Sequence, residues 1–433
     1  MGLGKTIQAI AFLAGLKEKI IRPSGEAREG AKHLVVLPTT LVFNWKQEFE
    51  RFYPGLSVAE YGAVRPKELE SAEVVLTTYD RLRRDSGYFH KQRFYVVIFD
   101  EAQFLKNIFA QRTVSARRIR ADFVLTLTGT PLENHIGEYF SILDLSLPGL
   151  WGSYEDFRRL ERGGHWERLK KRAAPFVLRR TKDKTLKELP AKTENEVYLR
   201  MTARQKALYQ KVVSQVRRTV RQAFEEKAPA QASLTALTAI LRLRQVCVSP
   251  RLIDAKSHER SPKMSYLLTK LSELISEDHS AIVFSQFTSF LDVLEEELRK
   301  EKLDYSRMDG STPPAKRKGL IDAFQCGAAA PIFLVSLKTG GVGLNLTRAS
   351  YVFHLDPWWN PAVENQASDR VHRIGQKKNV FVTRLLMQHT IEEKMVLLKN
   401  KKAALYRQVL DPAGPRNTRT GLLTREDFDF LVG

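Results

Sequence analysis

Four short apolar runs in the first third of the chain each end in a polar motif, and this repetition limits the possible folds more than any other feature. The runs are His33–Pro38, Val74–Asp80, Tyr95–Asp100 and Phe123–Thr128. Continuous apolar runs of this length are typical of parallel strands that are buried on both faces. Because helical segments alternate with them, we predict an α/β fold with parallel sheets that bind ligands at the carboxyl ends of the strands.

The same alternation resumes near Ser261 and predicts a second α/β lobe. Its predicted strands are Ala281–Ser285, Asp304–Met308, Pro331–Ser336, Ser350–Leu355 and Val380–Leu385. Between the lobes the pattern is helical, with two long amphipathic helices over Thr202–Cys247 that break near Pro229. We therefore predict the following division: a first lobe over 1–190 with a helical insertion from about 135, a helical insertion or linker over 191–260, a second lobe over 261–410 and a flexible tail over 411–433.

The first residues contain part of a phosphate-binding motif. Gly4, Lys5 and Thr6 match the end of the pattern G-x-x-x-x-G-K-[ST], in which backbone N–H groups hold phosphates, the lysine reaches the β/γ-phosphates and the threonine binds Mg²⁺. The first residue of the pattern would precede Met1, and so would the strand that normally leads into the loop. We therefore expect a misplaced start codon, a split gene or a truncation, and a much reduced affinity for ATP if Met1 is the true start.

An acidic pair follows the third apolar run. Asp100 and Glu101 stand at the tip of that predicted strand, which is the arrangement of a Walker B motif. In that arrangement Asp100 holds the Mg²⁺ together with Thr6, and Glu101 orients or polarises the attacking water. Two loop carboxylates without function would give the same local pattern, but the upstream Gly-Lys-Thr makes that alternative less favourable.

A basic segment near the end of the second lobe contains two arginines at helical spacing. We predict a helix that Asn360 caps and Gly375 ends, with one apolar stripe and a separate polar face. The stripe consists of Val363, Ala367, Val371 and Ile374, and the polar face of Gln366, Arg370 and Arg373. Guanidinium groups on such a face suit phosphate oxygens, whereas a solvated basic helix is the alternative without function.

The charge of the chain favours a polyanionic partner. Lys and Arg number 70 against 49 Asp and Glu, which gives a formal net charge of +21. Nucleic acid is the first expectation and an anionic membrane surface the second. No apolar run approaches the roughly 20 residues that span a bilayer. Cys247 and Cys326 lack metal-ligand spacing, so we expect a reducing compartment and no zinc site.

Together these motifs resemble those of the Swi/Snf-type (Snf-two) branch of helicase superfamily two, whose members translocate on double-stranded DNA. The order of the motifs is that of the family and spans nearly the whole chain. The matching stretches are Met1–Gln8, Leu37–Trp45, Thr77–Asp80, Asp100–Gln103, Leu127–Asn134, Phe176–Lys182, Ile282–Phe287, Ser336–Thr347 and Asp356–Gln376. The short insertions look more like those of prokaryotic members than of remodeller subunits with histone-reading domains.

The resemblance implies two RecA-like lobes, ATP and Mg²⁺ as ligands, and double-stranded DNA as the partner. Three groups of residues follow from it. The residues expected to bind the nucleotide are Gly2, Gly4, Lys5, Thr6, Asp100, Gly341 and Gly343. Hydrolysis is expected to depend on Glu101, on Arg370 and Arg373 as arginine fingers, and on Gln366 beside them. The residues expected to contact DNA are Thr39, Thr78, Lys338 and Trp358. Such a protein is expected in the cytoplasm with the nucleoid if prokaryotic, or in the nucleus if eukaryotic, with a transcription or repair protein as a possible partner.

The main functional hypothesis is an ATPase that moves along duplex DNA. One alternative is a truncated DNA-binding remnant that has lost turnover. A second is an RNA helicase on the same fold. The LTGTPLEN and RIGQ forms of the motifs argue against this alternative.

Overall fold

The computed structural model describes most of the chain. The described residues are 3–21, 32–129, 136–163, 165–180, 188–226, 229–340, 344–358, 361–398, 400 and 425–432. They fall into two compact units, which are the first unit up to residue 180 and the second unit from residue 188.

The first unit contains a five-stranded parallel sheet. Its strands are β1 His33–Leu37, β2 Val58–Glu60, β3 Val74–Thr78, β4 Arg93–Asp100 and β5 Arg120–Leu127. Their spatial order is β2-β3-β1-β4-β5, and every adjacent pair is parallel. Every residue of β1 and β3 is buried, as expected for strands that are covered on both faces. The four apolar runs therefore form four strands of one sheet, and β2 is an additional short strand that the sequence analysis missed.

Helices precede, connect and follow these strands. They are α1 Lys5–Lys17, α2 Val42–Phe52, α3 Pro66–Ser71, α4 Tyr79–Arg84, α5 Ser86–Lys91, α6 Gln111–Arg117, α7 Ile136–Ser146, α8 Tyr154–Arg162 and α9 Trp166–Ala173. The core of the sheet includes Leu34, Val97 and Phe99. A separate cluster around Phe140, Trp151 and Phe157 joins α7 to α8. The helical insertion therefore has a small core of its own.

The second unit contains a six-stranded parallel sheet. Its strands are β6 Lys192–Leu199, β7 Ala281–Ser285, β8 Tyr305–Met308, β9 Ile332–Ser336, β10 Tyr351–His354 and β11 Val380–Met387. Their order is β6-β11-β10-β7-β9-β8, with parallel pairing throughout. The helices of this unit are α10 Ala203–Glu226, α11 Pro229–Val248, α12 Pro262–Ser276, α13 Thr288–Lys300, α14 Pro314–Cys326, α15 Leu337–Gly340, α16 Pro361–Ser368, α17 over 391–398 and α18 Arg425–Val432.

Strand β6 corrects the prediction of a purely helical segment between the sheets. Its sequence, KTENEVYL, has no continuous apolar run, and most of its side chains are exposed. It is an edge strand, and all eight of its residues pair with β11 through the backbone. Backbone pairing at an edge needs no buried face, so hydrophobic patterning could not reveal it.

The end of the chain also differs from the flexible tail that the sequence predicts over 411–433. Residues 425–432 form helix α18, in which Phe428 and Leu431 are buried. Phe428 contacts Phe224 of α10, with the ring centroids 5.6 Å apart. The expected flexible segment Asp411–Gly421 lies outside the described residues.

The described part of the chain contains no helix that could cross a membrane. None of its helices combines the length and the apolar character that a bilayer crossing requires.

Candidate functional site

The Gly-Lys-Thr motif lies at the start of α1. Gly4 has a left-handed backbone (φ 70°) and caps the helix, and its carbonyl accepts the N–H of Gln8 at 3.0 Å. Lys5 and Thr6 form the first turn, which carries no acidic side chain. The Gln8 side chain donates to the Leu3 carbonyl at 2.8 Å. A helix N-terminus without a carboxylate has the partial positive charge that attracts anions.

Asp100 ends β4 as a buried carboxylate whose oxygens both accept hydrogen bonds. The Trp45 indole Nε1 donates to Oδ2 at 2.8 Å, and the backbone N–H of Glu101 donates to Oδ1 at 2.9 Å. Burial and then the neighbouring charge of Glu101 raise the pKa of Asp100 to about 6, although the Trp45 hydrogen bond and the positive charge of Lys5 act in the opposite direction. Lys5 and Asp100, far apart in the sequence, therefore interact electrostatically in the fold.

A side-chain relay joins Glu101 to the end of the next strand. Glu101 has a left-handed backbone (φ 49°), uncommon for a residue with a side chain. The Gln103 amide donates to Glu101 Oε2 at 2.7 Å, and its oxygen accepts the Thr128 hydroxyl at 2.8 Å. The relay fixes the Glu101 carboxylate against the segment that follows β5.

Thr39 and Thr78, the two DNA contacts expected of the first unit, line one pocket of about 230 Å³ at the carboxyl ends of β1 and β3. Thr39 is exposed, whereas Thr78 is buried and caps α4 by accepting the backbone N–H of Arg81. The other lining residues are Val42, Phe43, Lys46, Glu60 and Arg81.

Two cations of this pocket share one carboxylate. Lys46 Nζ and an Arg81 guanidinium nitrogen each lie 2.8 Å from Glu60. Burial would raise the pKa of Glu60, but the hydrogen bonds from Lys46 and Arg81 outweigh it and lower that pKa. The pocket therefore holds two oriented cations and one ionised acid, an arrangement that the sequence analysis did not identify.

Trp358 is an expected DNA contact of the second unit. Buried charged side chains hold the segment that precedes it. Lys263 donates to the Leu355 carbonyl at 2.7 Å and pairs with Glu392 at 2.6 Å, with both charged side chains fully buried. Arg244, also buried, donates to the Pro357 carbonyl. The Trp358 backbone N–H donates to Glu364. Since such groups are costly to leave unpaired, they fix the path of the chain up to Trp358.

The arginine segment differs from the helix that the sequence predicts. Helix α16 ends at Ser368, and tight turns carry the chain on to Gly375. The Arg370 carbonyl accepts the N–H of Leu346 at 3.0 Å, and this bond to another segment replaces helical pairing. Arg370 and Arg373 therefore lie beyond the helix. They do not share a helix face with Gln366.

Burial in this segment also differs in part from the prediction. Ala367 and Val371 are buried as expected, but Ile374 is 56% exposed and does not belong to the apolar stripe. Arg370, which we predicted on a polar face away from the core, is only 9% exposed, so that prediction is wrong for this residue. Arg373 is half-buried, and its guanidinium lies 3.4 Å from the Leu344 carbonyl.

Gln376 has a structural role that the sequence analysis did not assign. Its side-chain nitrogen lies 2.9–3.2 Å from the carbonyls of Thr347, Ala349 and Val371, and its oxygen accepts the N–H groups of two following residues. The buried amide thereby fixes the turns that carry both arginines.

Four expected site residues lie wholly or partly outside the described residues. Gly2, Gly341 and Gly343 lie outside the described residues, and so does most of the LTGTPLEN motif. Lys338 lies in the single-turn helix α15, and its side chain is not described.

Two family models together match most of the chain. The model of the SNF2-related domain matches residues 1–252, and that of the helicase conserved C-terminal domain matches residues 263–375. The first match alone covers more than half of the chain.

Similar full-length proteins come from bacteria and animals. An uncharacterized ATP-dependent helicase of Mycoplasma genitalium is 34% identical over 421 residues, which cover 95% of this chain and 40% of that protein. The mouse SWI/SNF-related matrix-associated actin-dependent regulator of chromatin subfamily A member 1 is 32% identical over 468 residues, or 100% of this chain and 43% of that protein. This chain therefore spans about two fifths of the length of these relatives.

Among solved structures, the SWI2/SNF2 ATPase core of Sulfolobus solfataricus in complex with dsDNA is 31% identical. The alignment covers 95% of this chain and 87% of that one, with a TM-score of 0.44. The family models, together with two parallel-sheet α/β units of which the first carries the phosphate-loop and acidic motifs, identify the chain as a member of the SNF2 family of helicase-type ATP hydrolases, with a RecA-like fold.

Proposed function

We propose that this chain is the motor of an ATP-driven translocase that moves along duplex DNA and remodels protein–DNA complexes. The observation that carries the proposal is the convergence of Lys5 with Asp100 and Glu101 in the first unit. A phosphate-binding lysine near an acidic residue pair at the end of a parallel strand is a recurring part of the sites that transfer phosphoryl groups from nucleotides.

The residues of the first unit fit a nucleotide with a divalent cation. The N-terminus of α1 and Lys5 would bind phosphate oxygens, while Thr6 and Asp100 would hold Mg²⁺. Because burial and Glu101 disfavour the ionised form of Asp100, a cation beside it would offset this unfavourable electrostatics. When bound, Mg²⁺ would neutralise charge on the phosphate oxygens.

Hydrolysis would depend on Glu101 and the arginine segment. Gln103 orients the Glu101 carboxylate, which would position the attacking water and accept its proton. Arg370 and Arg373 would stabilise negative charge on the transferred phosphoryl group, with Gln366 beside them. Their backbone is fixed by Gln376 and by the Leu346–Arg370 hydrogen bond, which supports a positional role.

The pocket around Thr39 and Thr78 would contact one DNA strand. Two hydroxyl groups and the cations of Lys46 and Arg81 suit phosphate oxygens. Lys338 and Trp358 would contact the backbone from the second unit. Phosphate contacts carry no sequence information, so we propose binding without base preference.

The direct test is ATP hydrolysis by the 433-residue chain with and without duplex DNA. Wild type and a control with the exposed Glu70→Gln should show turnover that DNA stimulates. Glu101→Gln and Arg373→Ala should each lower turnover by at least about 100-fold while DNA binding persists.

Two outcomes would contradict the proposal. A folded chain that binds duplex DNA but shows no turnover would instead be a DNA-binding remnant. ATP turnover that duplex RNA stimulates even when duplex DNA competes with it would instead favour an RNA helicase.

A further inference from the structure

Two buried aromatic side chains from different helices donate hydrogen bonds to Asp100. The Trp45 indole donates to the carboxylate oxygen Oδ2 at 2.8 Å, and the Tyr79 hydroxyl donates to the backbone carbonyl of Asp100 at 2.6 Å. Trp45 is only 1% exposed and Tyr79 only 3%. Neither residue is among the site residues that the sequence motifs predict. Asp100 is therefore held at its side chain and at its backbone.

Each aromatic residue belongs to the same rigid segment as a proposed DNA contact. Trp45 lies in α2, which directly continues the single-turn 3₁₀ helix Thr39–Leu41. Tyr79 is the first residue of α4, and Thr78 caps that helix. The sheet order β3-β1-β4 brings both segments beside the end of β4, where Asp100 lies. Thr39 is thus connected to Asp100 through the 3₁₀ turn and the start of α2, and Thr78 through the first residue of α4.

Packing leaves both donors little freedom to move independently of these segments. Tyr79 stacks on Phe104, with ring centroids 5.4 Å apart and an interplanar angle of 5°. The Phe104 backbone N–H in turn donates to the Glu101 carbonyl at 3.0 Å. Trp45 packs against Phe49 of its own helix at 6.0 Å. A displacement of α2 or α4 would therefore change the hydrogen bonds to Asp100, which weaken steeply with distance and angle.

We propose that Trp45 and Tyr79 are positioning residues that orient Asp100 and make its position depend on the DNA-contacting segments. The inference rests on the proposed function, because it assigns Asp100 to the metal and Thr39 and Thr78 to DNA. Trp45 occupies one lone-pair direction of Oδ2, and so determines which directions remain for a cation. Tyr79 anchors the backbone from which the carboxylate projects. Partners of this kind typically alter metal affinity by 10–100-fold when removed.

The test compares Trp45→Phe and Tyr79→Phe with matched controls. Trp151→Phe removes another buried indole of the same unit, whose N–H donates to the Leu169 carbonyl at 3.1 Å. Tyr209→Phe removes a tyrosine hydroxyl of the second unit that accepts the Ile391 N–H at 2.8 Å. The controls separate the loss of an aromatic hydrogen bond in general from its loss at Asp100.

Three quantities are measured on each full-length variant. They are the Mg²⁺ concentration that gives half-maximal binding of a fluorescent ADP analogue, the ratio of ATP hydrolysis with and without duplex DNA, and the dissociation constant for duplex DNA. Trp45→Phe should raise the required Mg²⁺ about tenfold. Both Trp45→Phe and Tyr79→Phe should bring the stimulation ratio close to one with DNA affinity unchanged, whereas the controls should match wild type.

A variant that fails to fold does not end the test. Site-specific incorporation of 3-benzothienylalanine at position 45 replaces the indole N–H with sulfur and keeps the shape of the ring system. The same rise in required Mg²⁺ is expected for this residue. Thermal unfolding of each protein identifies those that are folded.

The inference would be overturned if the folded Trp45→Phe and Tyr79→Phe variants required the same Mg²⁺ concentration as wild type and were stimulated by DNA to the same degree. Failure of the proposed function looks different, because wild type would then show no DNA stimulation at all. In that case the Mg²⁺ dependence of ADP binding still tests whether Trp45 positions Asp100.

Discussion

At the scale of single residues, His33 places an imidazole in the interior of the first sheet. It is buried, its Nδ1 has no hydrogen-bond partner among the described residues, and its ring lies 6.0 Å from that of Tyr95. Burial lowers its pKa to about 4, and the charge of Glu73 offsets this only partly. His33 is therefore neutral in the folded protein at a pH where the unfolded chain is already protonated.

This predicts a loss of stability on mild acidification. Between pH 6.5 and 4 the unfolded state binds a proton that the folded state does not, so the free energy of unfolding falls as the pH falls. At about 1.4 kcal/mol per pH unit, the loss from pH 7 to pH 5 is about 2 kcal/mol. His33→Phe should remove this part of the pH dependence in urea unfolding, and exposed His258→Phe should retain it. Equal pH dependence in both variants would contradict the account.

The sequence predicted the residues of the first unit better than those of the second. Gly4 precedes α1 and Asp100 ends β4, as predicted, because short-range motifs at the ends of elements indicate these positions. Trp45 was missed as a partner of Asp100, since a hydrogen bond between residues distant in sequence leaves no local pattern. Burial of Arg370 was missed for the same reason, because it depends on a crossing segment near Leu346.

At the scale of elements, helix α18 is part of the core of the second unit. Phe428 is fully buried in a cluster with Val216, Val220 and Met395, which belong to α10 and α17. A short helix of eight residues is marginal in isolation, so this packing must stabilise it.

Truncation of this side chain gives the second prediction. Phe428→Ala should lower the free energy of unfolding by about 3–5 kcal/mol, because it removes a buried ring and leaves a cavity. Phe430→Ala, which truncates a side chain that is 40% exposed in the same helix, should change it by about 0.5 kcal/mol or less. Urea unfolding of both variants measures the difference. Equal effects would mean that α18 does not pack as described.

Strand and helix boundaries show where hydrophobic patterning stops being informative. Buried strands such as β1 and β3 were predicted because most of their residues are apolar and consecutive. The edge strand β6 was missed because backbone pairing with β11 defines it. The early end of α16 at Ser368 was missed because apolar spacing continues through Val371, although the backbone has left the helix.

At the scale of the whole molecule, the net charge of +21 favours association with DNA but does not identify the surface that would bind it. The pocket with Lys46 and Arg81 is one candidate for that surface, since both cations are fixed by Glu60. Long-range attraction and local phosphate contacts can be separated by their dependence on salt.

Salt dependence therefore gives the third prediction. The logarithm of the duplex-DNA affinity should fall linearly with the logarithm of the salt concentration, by about 0.9 for each phosphate contact. Lys46→Gln should reduce the slope by about one, equally for duplexes of different sequence, whereas exposed Lys67→Gln should not. Fluorescence anisotropy between 50 and 200 mM salt, roughly the range over which such losses are large, measures the slopes. A flat response would exclude a phosphate-contacting track.

The most direct test of the central claim is displacement of a third DNA strand from a triplex that lies downstream on a duplex. A motor that moves along duplex DNA should displace this strand only with ATP, after a delay that grows with the length of the intervening duplex, and without separating the duplex itself. Glu101→Gln should bind the DNA and leave the triplex intact. ATP hydrolysis that DNA stimulates without displacement, or equal displacement by Glu101→Gln, would contradict ATP-driven movement along the duplex.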